Sequence, residues 1–523
     1  MNKNNPESAV SQFLNEVTDQ ISYKPLRPTI RQELEDHMND RMEDYKANGL
    51  SHSDAEEQAL RDMGDAVTIG TELNEAHKIQ RAPQLTIISA LLLLTGFIFT
   101  SFMSWRPLYM ASSSLYYIAG ATLLIFTVLK GYPFLIRKRK PIALLIGFLY
   151  LVQILLFIMT LVKGTRYGIP STAYFATILF VPVITVLLYC SRHNKKKFLT
   201  IAVLCTTVWM FFMYTARSFL GDTAEIIFLL STLGTVCFMI HRGILTGLEK
   251  YLYPAALAFI TLIGSPLFLL ESGKNNMDAF LSPQSSVYST WDDSYNGVLI
   301  QELLSKTPLT HGLKLSPEEL MDFGTGAWYF TSRNPNNIGI DATGIKTPEQ
   351  QAEFDKKVEA LRQEKYLPRY IHYQVEDVTL WDILPQHYYN NYMIAVFIFL
   401  FGWIPGFVLI GAIGLFYLLL FTYSFRINGK LASALAFSCS QCLLWQGVLY
   451  LLGNFGHQYA SFPNLPLISE GQLSILCNTI LLGLIFSAYR HDHVILGIEF
   501  TIKSPEAEAQ LMNWLNLRTT ITK

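Results

Sequence analysis

The sequence predicts an all-α, polytopic membrane protein of about ten transmembrane helices with a small cytoplasmic helical domain at its N-terminus. Three observations predict it. Only 15% of the 523 residues are charged, against roughly 25% in an average soluble protein. From about residue 84 the chain becomes a series of apolar runs, each near the ~20 residues that a helix needs to cross the hydrocarbon core. Basic residues collect in alternate loops between those runs, as cytoplasmic loops do. A mean hydropathy of +0.28 excludes a disordered chain. Forty Lys and Arg against 41 Asp and Glu give a net charge of −1, so the totals predict no nucleic-acid partner.

Residues 1–80 are hydrophilic, with 16 acidic and 8 basic side chains. Pro25 and Pro28 separate a first helix, about 8–21, from a second, about 29–47. On the second, Ile30, Leu34, Met38, Met42 and Tyr45 recur at three- and four-residue spacing and form one apolar stripe. Gly49 ends it. Ser51 and Asp54 open a third helix that closes at Gly64, and a fourth covers about 66–78. Arg31-Gln32-Glu33-Leu34, His37, Gly49-Leu50-Ser51, Ala55, Ala59 and Met63-Gly64-Asp65 together resemble the permease prefix (HAAS-type) domain of bacterial membrane proteins. That resemblance implies a cytoplasmic interaction or signalling role with a cytoplasmic partner for residues 1–80, and a Gram-positive source. No signal peptide is expected, because 80 polar residues precede the first apolar run.

Ten spans read near 85–104, 111–130, 141–162, 172–190, 198–216, 223–241, 251–271, 392–423, 431–453 and 472–489. Lipid offers backbone groups no partner, so each must be helical. Arg137-Lys138-Arg139-Lys140, Arg192 with Lys195 to Lys197, Arg242 with Lys250, Arg426 with Lys430, and Arg490 mark the cytoplasmic loops. Both termini are therefore expected in the cytoplasm and the chain in the cell membrane. Residues 84–271 form helices one to seven, 272–390 a large extracytoplasmic loop, 391–490 helices eight to ten, and 491–523 a cytoplasmic tail. His491-Asp492-His493 reads as a solvated end of the tenth span. In the outer loop, Thr347-Pro348-Glu349-Gln350 reads as a helix start with Phe354, Val358 and Leu361 on one face. Ser504-Pro505-Glu506 begins a short tail helix whose Leu511, Met512, Trp514 and Leu515 could rest on the inner membrane surface. All six cysteines fall in predicted spans, so no disulfide framework supports the outer loop. Cys439 and Cys442, spaced CxxC in an apolar helix, read as packing residues.

Two stretches carry a sharper signal. Residues 384–406 read LPQHYYNNYMIAVFIFLFGWIPG, and residues 454–476 read NFGHQYASFPNLPLISEGQLSIL. Leu384-Pro385, Ala395-Val396, Gly402 and Gly406 follow the pattern LPEAHTDFIFAVxxEExGxxG. Asn454, Gly456, Pro466, Ser469, Gly471 and Ser474 follow NxG…PLPFxSYGGSS. These resemble the shape, elongation, division and sporulation (SEDS) family, the FtsW/RodA/SpoVE proteins. Gly221-Asp222-Thr223-Ala224 is similar to that family's PDLGTA. The resemblance implies ten spans, a large loop between spans seven and eight, and a role in cell-wall (peptidoglycan) synthesis, cell shape, division or sporulation. It further implies contact with a lipid-linked disaccharide precursor and a class B penicillin-binding protein, a transpeptidase, as partner.

The family's proposed catalytic base is the Asp of HTDF, and that position here is Asn391. An amide cannot accept the proton of an attacking sugar hydroxyl. The two Glu of EExG fall on Phe399 and Leu400, and the Tyr of SYGG on Glu470. Candidate substitute bases are His387, Asp382, Glu376 and Asp377, against the plainer reading of solvated acids and an interface histidine. Pro466, Ser469, Gly471 and Ser474 are candidate substrate-binding positions. So are Asp222 and Glu225, three apart on one helical face at the outer start of span six, with Arg217 as their nearest cation in sequence. Gly402, Pro405 and Gly406 break span eight and read as the wall of a groove.

No metal site is read, and no cofactor is required; a divalent cation is compatible with the enzymatic reading. Nucleotide-loop, GxSxG and HExxH motifs are absent from the sequence, which argues against an ATP-driven pump or those hydrolases. Three readings stay open: a SEDS-like protein, polymerising or only binding the precursor; a transporter or permease; and a membrane sensor or scaffold signalling through residues 1–80.

Overall fold

The computed structural model describes residues 9–103, 107–137, 169–216, 221–248, 250–255, 258, 277–283 except 279, 293–325, 379–385, 387–458, 463–469 and 471–500, with a few residues between 347 and 372. The third and seventh predicted spans, the outer-loop helix from Thr347 and the tail helix from Ser504 lie wholly or largely outside the described residues.

Four helices form the N-terminal domain: α1 (Ala9–Asp19), α2 (Arg27–Ala47), α3 (His52–Met63) and α4 (Ala66–Ala76). Ser51 caps α3 by accepting from the Asp54 amide (3.3 Å), and Asp65 caps α4 by accepting from the Thr68 amide (2.8 Å). Gly49 and Gly64 turn the chain at positive φ, which a Cβ disfavours. The α2 stripe is used inward: Ile30, Met38 and Met42 are buried with Leu14, Val17, Ala55 and Ala59.

The membrane body contains α5 (Pro83–Met103), α6 (Pro107–Arg137), α7 (Ile169–Ser191), α8 (Lys195–Ala216), α9 (Gly221–His241), α15 (Trp403–Arg426), α16 (Lys430–Asn454) and α17 (Gln472–Phe500). The stretch between α9 and α15 contributes α10 (Asp293–Lys306), α11 (Pro317–Thr325), α12 (Leu380–Ile383), α13 (Tyr388–Asn391) and α14 (Met393–Phe401). A two-residue antiparallel pair joins Tyr366–Leu367 to Ile371–His372. Among the described residues, seven helices are long and apolar enough to cross a membrane: α5, α6, α7, α9, α15, α16 and α17. The chain is an all-α, multi-pass membrane protein.

Packing sorts these helices. Residues of α7 are 78% buried over its apolar window but those of α6 only 17%. Helix α5 turns Ile87, Leu91, Leu94, Ile98 and Phe102 outward at helical spacing, as a lipid-facing surface requires. Helix α16 packs against both α7 and α9, antiparallel to each. Cys442 Sγ donates to the Ile178 carbonyl of α7 (3.6 Å). Phe238 of α9 stacks on Phe437 with centroids 4.1 Å apart. Helices α6 and α17 run side by side at close approach. A Cβ on Gly120 would lie 2.5 Å from Ile475, and one on Gly483 would lie 2.6 Å from Thr127. In lipid such small-residue contacts hold helices together through dispersion.

Two departures from the sequence reading position the rest. The run read as one span over 392–423 is two helices: Gly402 (φ 90°) ends α14, and α15 is the one long and apolar enough to cross a membrane. Second, 491–493 is not a solvated end. Helix α17 continues to Phe500, and His491 and Asp492 are only 2% and 1% exposed. The α17 end is covered by the N-terminal domain, whose Ile21, Leu26 and Ile30 form one apolar cluster with Val494.

Candidate functional site: the junction of two broken membrane segments

The first break is the α14–α15 junction. A helix interrupted within an apolar run must find partners for its freed backbone groups, and residues 308–313 supply them. The amides of Trp403 and Ile404 donate to the carbonyls of Pro308 (3.1 Å) and Leu309 (2.9 Å), and the Leu313 amide donates to the Phe399 carbonyl (2.7 Å). Trp403 Nε1 donates to the Leu304 carbonyl at the end of α10 (3.1 Å). A Cβ on Gly402 would stand 2.8–2.9 Å from backbone atoms of Leu309 and His311. Only glycine suits both this contact and the positive φ.

The N-terminus of α14 leaves orphan amides, and α16 satisfies them across the fold. Asn454 Oδ1 accepts from Ile394 and Ala395 amides at 3.1 Å each, while its Nδ2 donates to the Asn391 carbonyl (2.9 Å). The Met393 amide donates to the Tyr450 hydroxyl (3.1 Å), which donates to the Asn390 carbonyl (2.6 Å). Tyr392 OH donates to Gln458 Oε1 (3.0 Å). Gln301 of α10 donates to the Phe455 carbonyl (3.2 Å). The stretches 384–406 and 454–476 are thereby in direct contact.

The second break is the segment 463–471 between α16 and α17. Residues 463–469 are irregular yet mostly buried: Leu465, Leu467, Ile468 and Ser469 are each 2% exposed or less. The Tyr117 hydroxyl of α6 donates to the Ile468 carbonyl (3.0 Å), and Gly96 of α5 is so close that a Cβ would lie 2.7 Å from Leu467 and Ile468 backbone atoms. Both contacts come from helices long and apolar enough to cross a membrane, so the segment is sheltered by protein. Leu467 has φ 70° and His387 φ 62°. These are the only non-glycine residues at positive φ among those described, and one lies in each stretch. Such strain persists only where surroundings over-determine it.

Below the segment lies a layer of polar side chains. Gln446 Nε2 donates to Asn478 Oδ1 (3.0 Å), and Asn478 Nδ2 donates to Ser474 Oγ (3.3 Å). Tyr174 of α7 reaches Gln446 Oε1 at 3.5 Å. Gln446, Ser469, Ser474 and Asn478 are all buried. Ser469 donates to the Leu465 carbonyl within its own turn (3.2 Å).

The remaining candidates fall as follows. Asn391 is half-buried beside α14, and the neighbouring Asn390 Oδ1 is buried with no hydrogen-bond partner. His387 is exposed and shares a hydrogen bond with the Tyr389 hydroxyl through Nδ1 (2.9 Å). Asp382 closes a capping box on α12: its Oδ2 accepts from the Thr379 amide (2.8 Å) and hydroxyl (2.6 Å). Pro466 is buried, and Gly471 is half-buried against Ser474 and Asn464. Glu225 of α9 is 3% exposed. Gly234 abuts Gln441 and Phe238 abuts Phe437, and that antiparallel register sets Glu225 level with Tyr450. Asp222 is the second residue of α9, and its side chain lies outside the description; Glu376, Asp377 and Arg217 lie outside the described residues. Among the described residues no three His, Cys, Asp or Glu are placed to hold a metal.

Sequence reasoning did not single out Tyr174, Gln446, Tyr450 or Asn478. The available signal was an amide or phenol inside an apolar run, where a polar group must find a partner. The junction is built from amides, phenols and hydroxyls. Such groups hold a hydroxyl-rich ligand by directional hydrogen bonds, and of those at Asn390, Asn391 and Tyr392 none accepts a proton near neutral pH.

No family model matches the chain, and no curated protein matches it. A solved chain from work described as "Structural coordination of polymerization and crosslinking by a peptidoglycan synthase complex" is similar at 14% identity and a TM-score of 0.47. The match covers 79% of this chain and 98% of that one.

Proposed function

We propose that the chain is a SEDS-like protein of cell-wall synthesis that binds a lipid-linked disaccharide precursor at the junction of α13–α14 with the 463–471 segment, and that it does not itself polymerise the precursor. The observation that carries the reading is the Asn454 bridge. A single side chain ties Asn391, Ile394 and Ala395 of the first stretch to the helix that leads into the second. Binding without polymerisation is supported by Asn391 at the family's acid position and by Asp382, whose Oδ2 is spent on a helix cap. A class B transpeptidase as partner belongs to the same reading.

The test uses purified full-length protein in liposomes with labelled lipid-linked precursor. Saturable binding with no glycan polymer is expected, and Asn391→Asp is expected to gain polymer. Polymer from the unaltered protein would overturn the non-enzymatic part. Absence of binding, or flux of a small solute instead, would overturn the whole.

A further inference from the structure

We propose that the N-terminal domain is a clamp held in cis on the cytoplasmic end of α17, and that α16 carries its engagement across the membrane to the Asn454 bridge. The proposal rests on no ligand, so it stands or falls separately from precursor binding.

The docking is specific. Val494 is fully buried in a cluster with Ile21, Leu26 and Ile30, packed by Tyr23, Leu34, Leu73 and Ile79. The Gln80 amide donates to the Arg490 carbonyl (3.2 Å), and His77 Nδ1 lies 3.3 Å from the His493 carbonyl. The Tyr23 ring meets His491 edge-on at 6.0 Å. Residues 490, 491, 493 and 494 are thus all held by the domain, and Asp492 sits between them.

Asp492 points the other way. Its two oxygens accept from the amides of Asn428 (2.8 Å) and Gly429 (2.7 Å), the residues that lead into α16. A buried carboxylate gives up hydration for these bonds, so moving it away from them is costly. The chain of contact then runs along α16. This helix has 25 residues and no proline, giving a stiff rod about 37 Å long at 1.5 Å per residue. Its far end carries Tyr450 and Asn454, one turn apart on one face, which hold the Met393, Ile394 and Ala395 amides. The domain therefore bears on Asp492, Asp492 on the start of α16, and the end of α16 on the extracytoplasmic junction. A cytoplasmic factor that pulls the domain off Val494 would loosen the junction from the opposite side of the bilayer.

Hydrogen exchange on the full-length protein in lipid nanodiscs tests this, read by mass spectrometry on peptides covering 66–80 and 393–401. Val494→Asp puts a carboxylate into the apolar cluster. It is expected to raise exchange in both peptides, by roughly tenfold in 393–401, equivalent to about 1.4 kcal/mol of local stability. Asp492→Ala is expected to raise exchange in 393–401 while Val494→Leu leaves both peptides protected. Release of the domain by Val494→Asp with 393–401 unchanged would overturn the coupling, as would an unchanged 393–401 in Asp492→Ala. Unchanged exchange of 66–80 in Val494→Asp would overturn the clamp.

Discussion

At the scale of single residues, the junction depends on side chains that do two jobs. Asn454→Ala would leave two buried amides without an acceptor and the Asn391 carbonyl without a donor. Each unsatisfied buried group costs about 1–3 kcal/mol. The expected outcome is a clear loss of thermal stability in detergent, larger than that of Tyr450→Phe, which removes one hydroxyl with two bonds. Leu467 poses a competition. Replacing it with glycine relieves a left-handed backbone at about 1–2 kcal/mol, but emptying a fully buried leucine site costs about 2–5 kcal/mol. Burial wins, so Leu467→Gly is expected to lower the melting temperature; a rise would show that strain governs the segment. The residues that matter here were partly legible in the sequence. Asn454 stood out by its motif. Gln446 and Asn478 did not, because one sequence gives an isolated amide no sign of the partner it finds 32 positions away.

At the scale of elements, close backbone contacts fix the outer part on the membrane body. Gly297 of α10 faces Gly456, and a Cβ there would lie 2.4 Å from the Gly456 carbonyl oxygen. Backbone cannot yield as a flexible side chain does. Gly297→Ala is expected to push α10 off α16 and expose Gln301 and Trp403, seen as a red shift in tryptophan fluorescence. Helix α11 carries a pH-dependent brace. Glu319 accepts from the Ser316 amide (2.9 Å), and Lys306 Nζ donates to it (2.9 Å). These bonds, the Ser316 amide first, hold its carboxyl below the ordinary glutamate value of 4.5. A depressed folded value means that the contribution is present above about pH 4.5 and fades as pH falls through the folded value. The pair is more than a third exposed, so water screens it and the effect is small. Exchange in 317–325 is expected to rise below pH 4.5, and Glu319→Gln is expected to abolish that dependence. The break at Gly402 was readable from sequence, but what holds it was not: residues 308–313, some ninety positions earlier, bond both helix ends.

At the scale of the molecule, the positive loops predict that the N-terminal domain and the 307–313 segment lie on opposite sides of the membrane. Ser53 and Thr310 are exposed and serve as reporters. In intact cells, Thr310→Cys is expected to react with a membrane-impermeant maleimide and Ser53→Cys only after permeabilisation. Equal labelling of both would break the topology. The same scale places the acidic prefix: its apolar stripe is spent on its own core and on Val494.

The sequence by itself determined the all-α membrane architecture, the limits of most of the described helices and the two stretches that meet. Apolar run length and cap residues are local properties, and each acts wherever the chain goes. Only the tertiary structure decided that 491–493 is buried, that Asn454 caps a helix it does not belong to, and that 463–471 turns back among α5 and α6. Each of these pairs groups distant in the chain, and each exists because a buried amide, carboxylate or broken helix end must find its hydrogen-bond partner in the fold when lipid supplies none.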